Sequence, residues 1–540
     1  MSMLRITGGT VYDPANGIDG VVRDVCIQDG RVVATLPADA PRLDATGMVV
    51  MAGGIDIHAH VCASSTTLAR RLLPEEHAAD PVEKPDLIDG SIQRSGTGGT
   101  VPSTFTTGYR YAGLGYTTVF DAAVPAVAAR ATHAQFDDTP IVDGGFYVLL
   151  GNDDYLLRQI AAGETGRARD YVAWVLNATR GYAVKIVNPG GVELWKRNVR
   201  EIKTLDDPVG DARVTPRRIL ETLTDAANAL KLPHPVHIHC NNLGLPGNIA
   251  MTLDSMRAVE GRRAHFTHLQ FQSYGAPWHS EAKQIAEYFA THPEVSGDVG
   301  QVMFGAATTL TADGAVEYML HKSTGKKWVN ADIELETGCG IVPYVYKDTA
   351  AVAALQWVVG LELFLLSPDP WRMVLSTDHP NGGSFMSYPE LIHLLMDRTY
   401  RDARLKTINQ KYLAGSALAD GLAREYTLSE IAIITRAGPA RQLGLANKGH
   451  LGVGADGDVT VYAREADISH MFATPRYVVK AGTLVVEEGQ LRRAPRGERL
   501  SVAPGYDVAV ERDIKAYFDK YATIAFENYP VAAPAAKAPA

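Results

Sequence analysis

Cysteine is scarce: Cys26, Cys62, Cys240 and Cys339 are the only four among 540 residues, and no two form a C-x-x-C pair. That spacing excludes an iron–sulfur cluster, a disulfide framework and a structural zinc ribbon, all of which need clustered thiols. No apolar run reaches the ~18 residues of a membrane span, and the opening MSMLRITGG lacks a secretory pattern. There is no nucleotide fingerprint and no flavin-type Gly-rich turn after a strand, so the chain is not expected to carry out redox chemistry itself. An excess of positive charge is missing as well. At a net charge of -9, neither nucleic acid nor an anionic membrane is an expected partner, and the chain reads as a cytoplasmic protein.

What is present is enough apolar residue, 46% of the chain, for a large core. A prior of about 150 residues per domain suggests three or four domains, but a barrel of ~250 residues or more can be one. Both ends carry short strands and tight turns: LRITGGTVYD and DVCIQDGRVVATL near the start, GHLGVGADGDVTVYA and YVVKAGTLVVEEGQL near residues 449–491. Two separated β segments that need each other to bury their faces predict one small β-sandwich built from residues 1–52 and 425–503. A terminal helix is expected over 508–521, within a 504–540 segment whose Pro/Ala-rich end PVAAPAAKAPA is expected to be disordered.

Between these ends, residues 53–424 alternate apolar runs with helical stretches, the pattern of a parallel α/β fold. Eight candidate strands end at His60, at Phe120-Asp121, near Leu149, at Val187, at His239, at His268, near Val299 and at Asp378. Eight is the count of a TIM-type (β/α)8 barrel, whose active sites lie at the C-terminal ends of the strands. The stretch from Glu75 to Gly115, rich in Gly, Thr and Tyr, is too long for an ordinary connection and reads as an ordered functional loop.

Several of these strand ends carry metal-ligand chemistry. In Gly53-Gly54-Ile55-Asp56-Ile57-His58-Ala59-His60 the two histidines share a strand face, since side chains alternate with a period of two. A lone H-x-H is more often a pair of satisfied rim histidines; the residues that follow favour a metal. Lys185, inside the apolar run AVKIV, places an ammonium where desolvation is costly. It is either a rim lysine or one carboxylated by CO2, whose carbamate could bridge two cations. His237 and His239 share a face, and His239, nearer the mouth, is the preferred ligand. His268 is preferred over His265 for the same reason. Asp378 ends the eighth strand, where a carboxylate can bind metal and carry a proton. Asn241-Asn242 either orients substrate or forms a turn.

This order of residues resembles the amidohydrolase superfamily: H-x-H on strand one, a lysine on strand four, histidines on strands five and six, an aspartate on strand eight. Dihydroorotases carry an arginine two positions after H-x-H, where this chain has Cys62, which weakens that reading. A narrower resemblance rests on PSTFTTGYRYAGLGYTT, VKIVNPGG, HIHCNNLGLPGN, HFTHLQFQSYG and STDHPNGGSF. Together these are similar to the A subunits of formylmethanofuran dehydrogenase and of the formyltransferase/hydrolase complex. The resemblance implies hydrolysis of an N-formyl amine to formate, or the reverse condensation, at two zinc ions bridged by the carboxylated lysine. It makes His58, His60, Lys185, His239, His268 and Asp378 the metal set. It also implies a formyl-methanofuran-type substrate and partner subunits, with a formyltransferase favoured over a redox protein. Arg70, Arg71, Arg110 and Arg180 are candidates for steering an acidic carrier, although each is more simply a surface charge. A hydantoinase-like cyclic amidase is the rival activity.

Overall fold

The computed structural model describes residues 2–82, 96–199, 201–210, 212–331 and 339–532. Eight parallel strands follow one another around a barrel in chain order: Gly54–Ala59, Tyr116–Val124, Asp143–Leu149, Ala183–Val187, Val236–His239, Ala264–Phe266, Val295–Asp298 and Met373–Val374. Each is hydrogen-bonded to the next in parallel register. Closure comes just beyond the last ladder: Ala59 bridges His379, the His60 N–H donates to the His379 carbonyl at 2.6 Å, and the Ser376 hydroxyl donates to the His58 carbonyl at 2.9 Å. The strands are buried along nearly their whole length, which is why they read as continuous apolar runs.

The long apolar stretch from Val49 to His60 is not one strand. Val49–Ala52 pairs antiparallel with Val459–Tyr462, and the chain passes Gly53 before Gly54–Ala59 joins the barrel. A Cβ on Gly53 would overlap Thr117 Oγ1, so only glycine allows the crossing to pack this closely. Val49–Ala52 belongs to a nine-stranded sheet that takes five strands from residues 3–52 and four from residues 459–491. A separate core of Ile6, Val11, Val50, Val459, Val461 and Val479, among others, holds the two chain ends together.

Two expectations change. The segment 75–115 is largely helical where it is described: Pro74–Ala79 and Thr104–Gly113 flank a short hairpin of Pro81–Val82 with Gly96–Thr97, and residues 83–95 lie outside the described residues. Thr104–Gly113 is capped by Ser103, whose hydroxyl accepts from Thr106 N, and serves as an ordinary barrel helix that buries Tyr111. Strands six and eight are also shorter than the apolar runs suggested. His268 (φ 36°) and Asp378 (φ 50°) have left the ladder on left-handed backbone.

The terminal helix spans Val510–Tyr521. It packs on Thr165–Thr179, with Trp174 against Phe518, Phe526 and Tyr529 at ring distances of 6.1, 5.5 and 5.6 Å. Val531 N still donates to Ala178 O at 2.7 Å; residues 533–540, most of the tail expected to be disordered, lie outside the described residues. Among the described residues no helix is long and apolar enough to cross a membrane.

Candidate metal centre

At the C-terminal mouth of the barrel a cavity of about 510 Å³ is lined by His58, His60, Lys185, His239, His268 and Asp378 together. His58 and His60 emerge on one face of strand one, as a period of two requires. Asp378 closes on them from beyond strand eight, across the seam that shuts the barrel, with Oδ1 at 2.9 Å from His58 Nε2 and 3.1 Å from His60 Nε2. Ring centroids lie 5.3 Å apart for His58 and His268 and 4.4 Å apart for His239 and His268. The left-handed turn at His268 swings its ring over the mouth, and a Cβ on Gly300 would overlap His268 Cβ, so a glycine opposite makes room for it. Backbone held in this region by non-glycine residues at the ends of strands six and eight is typical of functional sites.

The polar atoms here are unusually short of partners. Lys185 Nζ, His60 Nδ1 and His239 Nε2 are buried without a hydrogen bond. Burial pushes the Lys185 amine down to about 7, against the pull of Asp298 and Asp378. Burial would raise the Asp378 carboxyl, but His58, His268 and His60 outweigh it and hold it well below the usual carboxylate range. Burial and Lys185 oppose a charge on His58, yet Asp298 and Asp378 prevail and raise it. Buried groups normally find hydrogen-bond partners. Nitrogens left open around one cavity, beside a cluster of His58, His60 and Asp378 whose ligand atoms lie within 4.8 Å of one another, fit a bound cation.

His237 and His265, the alternatives left open by the sequence, are fully buried behind the cavity wall. His237 Nε2 lies 2.8 Å from His58 Nδ1, and His265 Nε2 lies 3.0 Å from Asp298 Oδ2. Asn241 and Asn242 do not reach the cavity lining. Asn241 donates to Asn188 Oδ1 (2.8 Å) and Pro189 O (3.0 Å), and Asn242 exchanges bonds with Ile202 N and O (3.2 and 2.7 Å), so both tie loops together. The four arginines differ in their surroundings. Arg70 donates to Val61 O, Pro102 O and Gln135 Oε1, Arg110 pairs with Asp80 at 3.1 Å, Arg180 bonds Ala532 O, and Arg71 is simply exposed.

Four further residues shape the site. Asp298, ending strand seven, accepts from Thr267 Oγ1 (2.7 Å) and His268 N (2.8 Å); its place at a strand end was the available signal. Asp121 accepts from the N–H groups of Val61, Cys62 and Ala63 (2.9, 2.7 and 2.9 Å), clamping the turn after H-x-H. Asn381 donates to Asp378 Oδ1 at 2.9 Å and accepts from Leu310 N at 2.6 Å. Asp313 Oδ2 stands 2.8 Å from His239 Nε2, though not in hydrogen-bond alignment. Leu310 and Asp313 belong to a roof formed by strands Gly305–Thr311, Val329–Ala331 and Cys339–Tyr346 with helix Gly314–Thr324, a roof with no counterpart in the sequence reading.

Comparison with known proteins agrees with this geometry. The model of the amidohydrolase family matches residues 43–486. Protein FwdA of Methanocaldococcus jannaschii is 42% identical over 97% of this chain and 96% of its own length. The A subunit of the formyltransferase/hydrolase complex Fhc of Methylorubrum extorquens is 40% identical over 95% and 94%. A chain in the crystal structure of that organism's formyltransferase/hydrolase complex, solved with methylofuran, superposes with a TM-score of 0.91 at 38% identity, covering 98% of this chain and 96% of that one. With a closed eight-stranded barrel, a histidine- and aspartate-lined mouth and a family match over most of its length, the chain belongs to the amidohydrolase family.

Proposed function

We propose that the chain hydrolyses a formyl-methanofuran-type N-formyl amine to formate and free amine, as one component of a formyltransferase/hydrolase complex. The observation that carries this reading is the near-full-length likeness to a chain of a complex solved with methylofuran. The residues at the mouth support the chemistry. Two zinc ions would be held by His58, His60, Lys185, His239, His268 and Asp378, and zinc so bound lowers the pKa of water toward ~7 and polarises the formyl oxygen.

Lys185 supports the bridging role because burial pushes its amine down to about 7, so that a large share of it is neutral at neutral pH. A neutral amine attacks CO2 and loses a proton, so the resulting carbamate turns a cation that would repel the metals into an anion that binds them. Asp378, kept ionised, accepts a proton from the attacking water and passes it to the departing amine nitrogen, otherwise a poor leaving group. Asn381 orients that carboxylate from behind. The rest of the cavity wall is largely apolar, including Leu68, Phe271, Trp278, Leu310 and Tyr344, and suits the flat, uncharged end of a furan amine while keeping bulk water out.

Turnover of an N-formyl furfurylamine, compared with ring opening of a cyclic imide, tests the reading. Formate release in step with zinc content is expected. Imide opening without formate release would replace it with the hydantoinase-like reading. Co-purification with a formyltransferase is the expected assembly, and a molybdenum or tungsten partner would point instead to a formate-condensing role.

A further inference from the structure

Beneath the metal centre three buried histidines stand in line. His234 Nδ1 lies 2.8 Å from the Gln442 carbonyl, His234 Nε2 lies 2.9 Å from His237 Nδ1, and His237 Nε2 lies 2.8 Å from His58 Nδ1. All three rings are at most 1% exposed. The chain has one direction only. A carbonyl can only accept, so His234 Nδ1 carries a hydrogen. No carboxylate comes within ion-pair distance of His234 among the described residues and burial opposes a charge on it, so the ring is neutral and its Nε2 must accept from His237 Nδ1–H. With its hydrogen on Nδ1, His237 accepts at Nε2: Asp298 Oδ2 lies 3.5 Å from that nitrogen without a hydrogen bond to it, and His58 Nδ1, at 2.8 Å, is its donor.

A second, independent set of contacts gives the same answer at His58. Thr267 Oγ1 touches His58 Nδ1, and its single hydroxyl hydrogen is directed at Asp298 Oδ2 2.7 Å away, so toward His58 it can only accept. Asp298 Oδ2 itself is 3.4 Å from His58 Nδ1 and is another acceptor. Every neighbour of that nitrogen therefore requires a hydrogen on it. Once His58 is neutral, its other nitrogen, facing Asp378 and the cavity, bears the lone pair.

We infer that His234 and His237 are positioning residues for the metal centre: they relay the Gln442 carbonyl through the barrel core and lock His58 in the tautomer whose Nε2 is free to bind metal. The inference rests on the reading of His58 as a ligand. A metal-ligating histidine commonly donates its far N–H directly to a carboxylate, carbonyl or water. Here the carbonyl is reached through two imidazoles, and neither of them reaches the cavity. The same nitrogens could in principle hold an ion of their own with His265. His265 is already paired at both nitrogens, with Ser296 Oγ and Asp298 Oδ2 at 3.0 Å each, so no ion is needed there.

The test is zinc affinity, by competition with a calibrated chelator, in the full-length protein and in His237→Leu, His234→Leu and His237→Gln. The parent is expected to bind zinc, His237→Leu to lose about 10- to 100-fold in affinity, and His234→Leu to lose in the same direction although it touches neither cavity nor ligand. His237→Gln, whose amide accepts from His58 and donates to His234, should recover most of the loss. Folded leucine variants that bind zinc as tightly as the parent overturn the relay. A parent that binds no zinc overturns the metal reading itself, a distinguishable failure. Should leucine at 237 prevent folding, a neutron map of the zinc-loaded parent decides: hydrogen on Nδ1 and none on Nε2 is expected at His234, His237 and His58, and hydrogen on His237 Nε2 overturns the inference.

Discussion

The two ends of the barrel treat a buried lysine in opposite ways. At the C-terminal mouth, Lys185 Nζ makes no hydrogen bond among the described residues and its amine is pushed down to about 7 by burial. At the N-terminal floor, where Asp143 opens strand three, Lys448 and Lys480 share Asp143, Asp456 and Asp458. Lys480 Nζ lies 2.5 Å from Asp143 and 2.7 Å from Asp458, and Lys448 Nζ lies 2.6 Å from Asp456. Burial would lower the Lys448 ammonium, yet Asp458, Asp143 and Asp456 push it up. The three carboxylates at the floor could hold a cation, but two ammonium groups already fill that place. Paired buried charges are structural glue joining barrel to sheet, whereas unpaired ones mark a place reserved for something else.

The sharpest way to break the comparison is to substitute one residue at each end. Lys185→Ala should lose on the order of 1,000-fold in formate release, the scale of deleting an electrostatic stabiliser, with little change in thermal midpoint. Substantial retained activity would end the bridging-carbamate idea and favour a single metal. His58→Ala and Asp378→Asn should behave alike.

At the floor the order of effects reverses. Asp458→Asn leaves two buried ammonium groups short of a partner and should cost about 3–5 kcal/mol in urea unfolding, with turnover per folded molecule unchanged. Burial would raise Asp458, but Lys480 and Lys448 hold its carboxyl far below its unfolded range. Its contribution is therefore complete above a pH of about 5 and lost as pH falls below about 4. An unfolding midpoint flat across that window would show that the floor network is not stabilising.

A smaller effect separates the ends through pH. Because the Lys185 amine titrates near 7, reconstitution of metal-free protein with zinc and bicarbonate should be faster at pH 8 than at pH 6. The raised His58 works in the same direction, since it must shed a proton to bind metal. Rates independent of pH would mean that neither group limits assembly. Least affected of all should be the thiols. Burial, with Asp121 nearby, pushes Cys62 up to about 12, and burial does the same to Cys240. Thiol-blocking reagents should leave formate release largely intact, whereas a strong zinc chelator removes it, and Cys62→Ser should retain both metal and activity.

How much of this was readable beforehand differs between the regions. Strand identity was legible because eight apolar runs end in punctuating residues such as Gly, Asp, His or Asn-Pro, and a period of two puts His58 and His60 on one face. The roof was not: Gly305–Thr311 and Cys339–Tyr346 are an insertion after strand seven, and nothing local announces that Leu310 and Asp313 return to Asn381 and His239. The segment 75–115 misled for a related reason, since Gly and Thr content suggested a loop where the Ser103 cap and the burial of Tyr111 make a helix.

The alternation of eight strands with helices, the need of the two β-rich chain ends to bury their faces against each other, and the ligand-type residues at the strand ends were all set by sequence alone. Each of these follows from local periodicity and composition. Which histidine of each pair meets the cavity was left to tertiary packing, because it depends on the left-handed turn at His268 and on how far the ladder runs before it. Packing likewise decided which buried charges are satisfied. Asp143 finds Lys448 and Lys480 across more than 300 positions of sequence, while Lys185 Nζ makes no hydrogen bond among the described residues, and contacts made across such separations leave no trace in residue spacing.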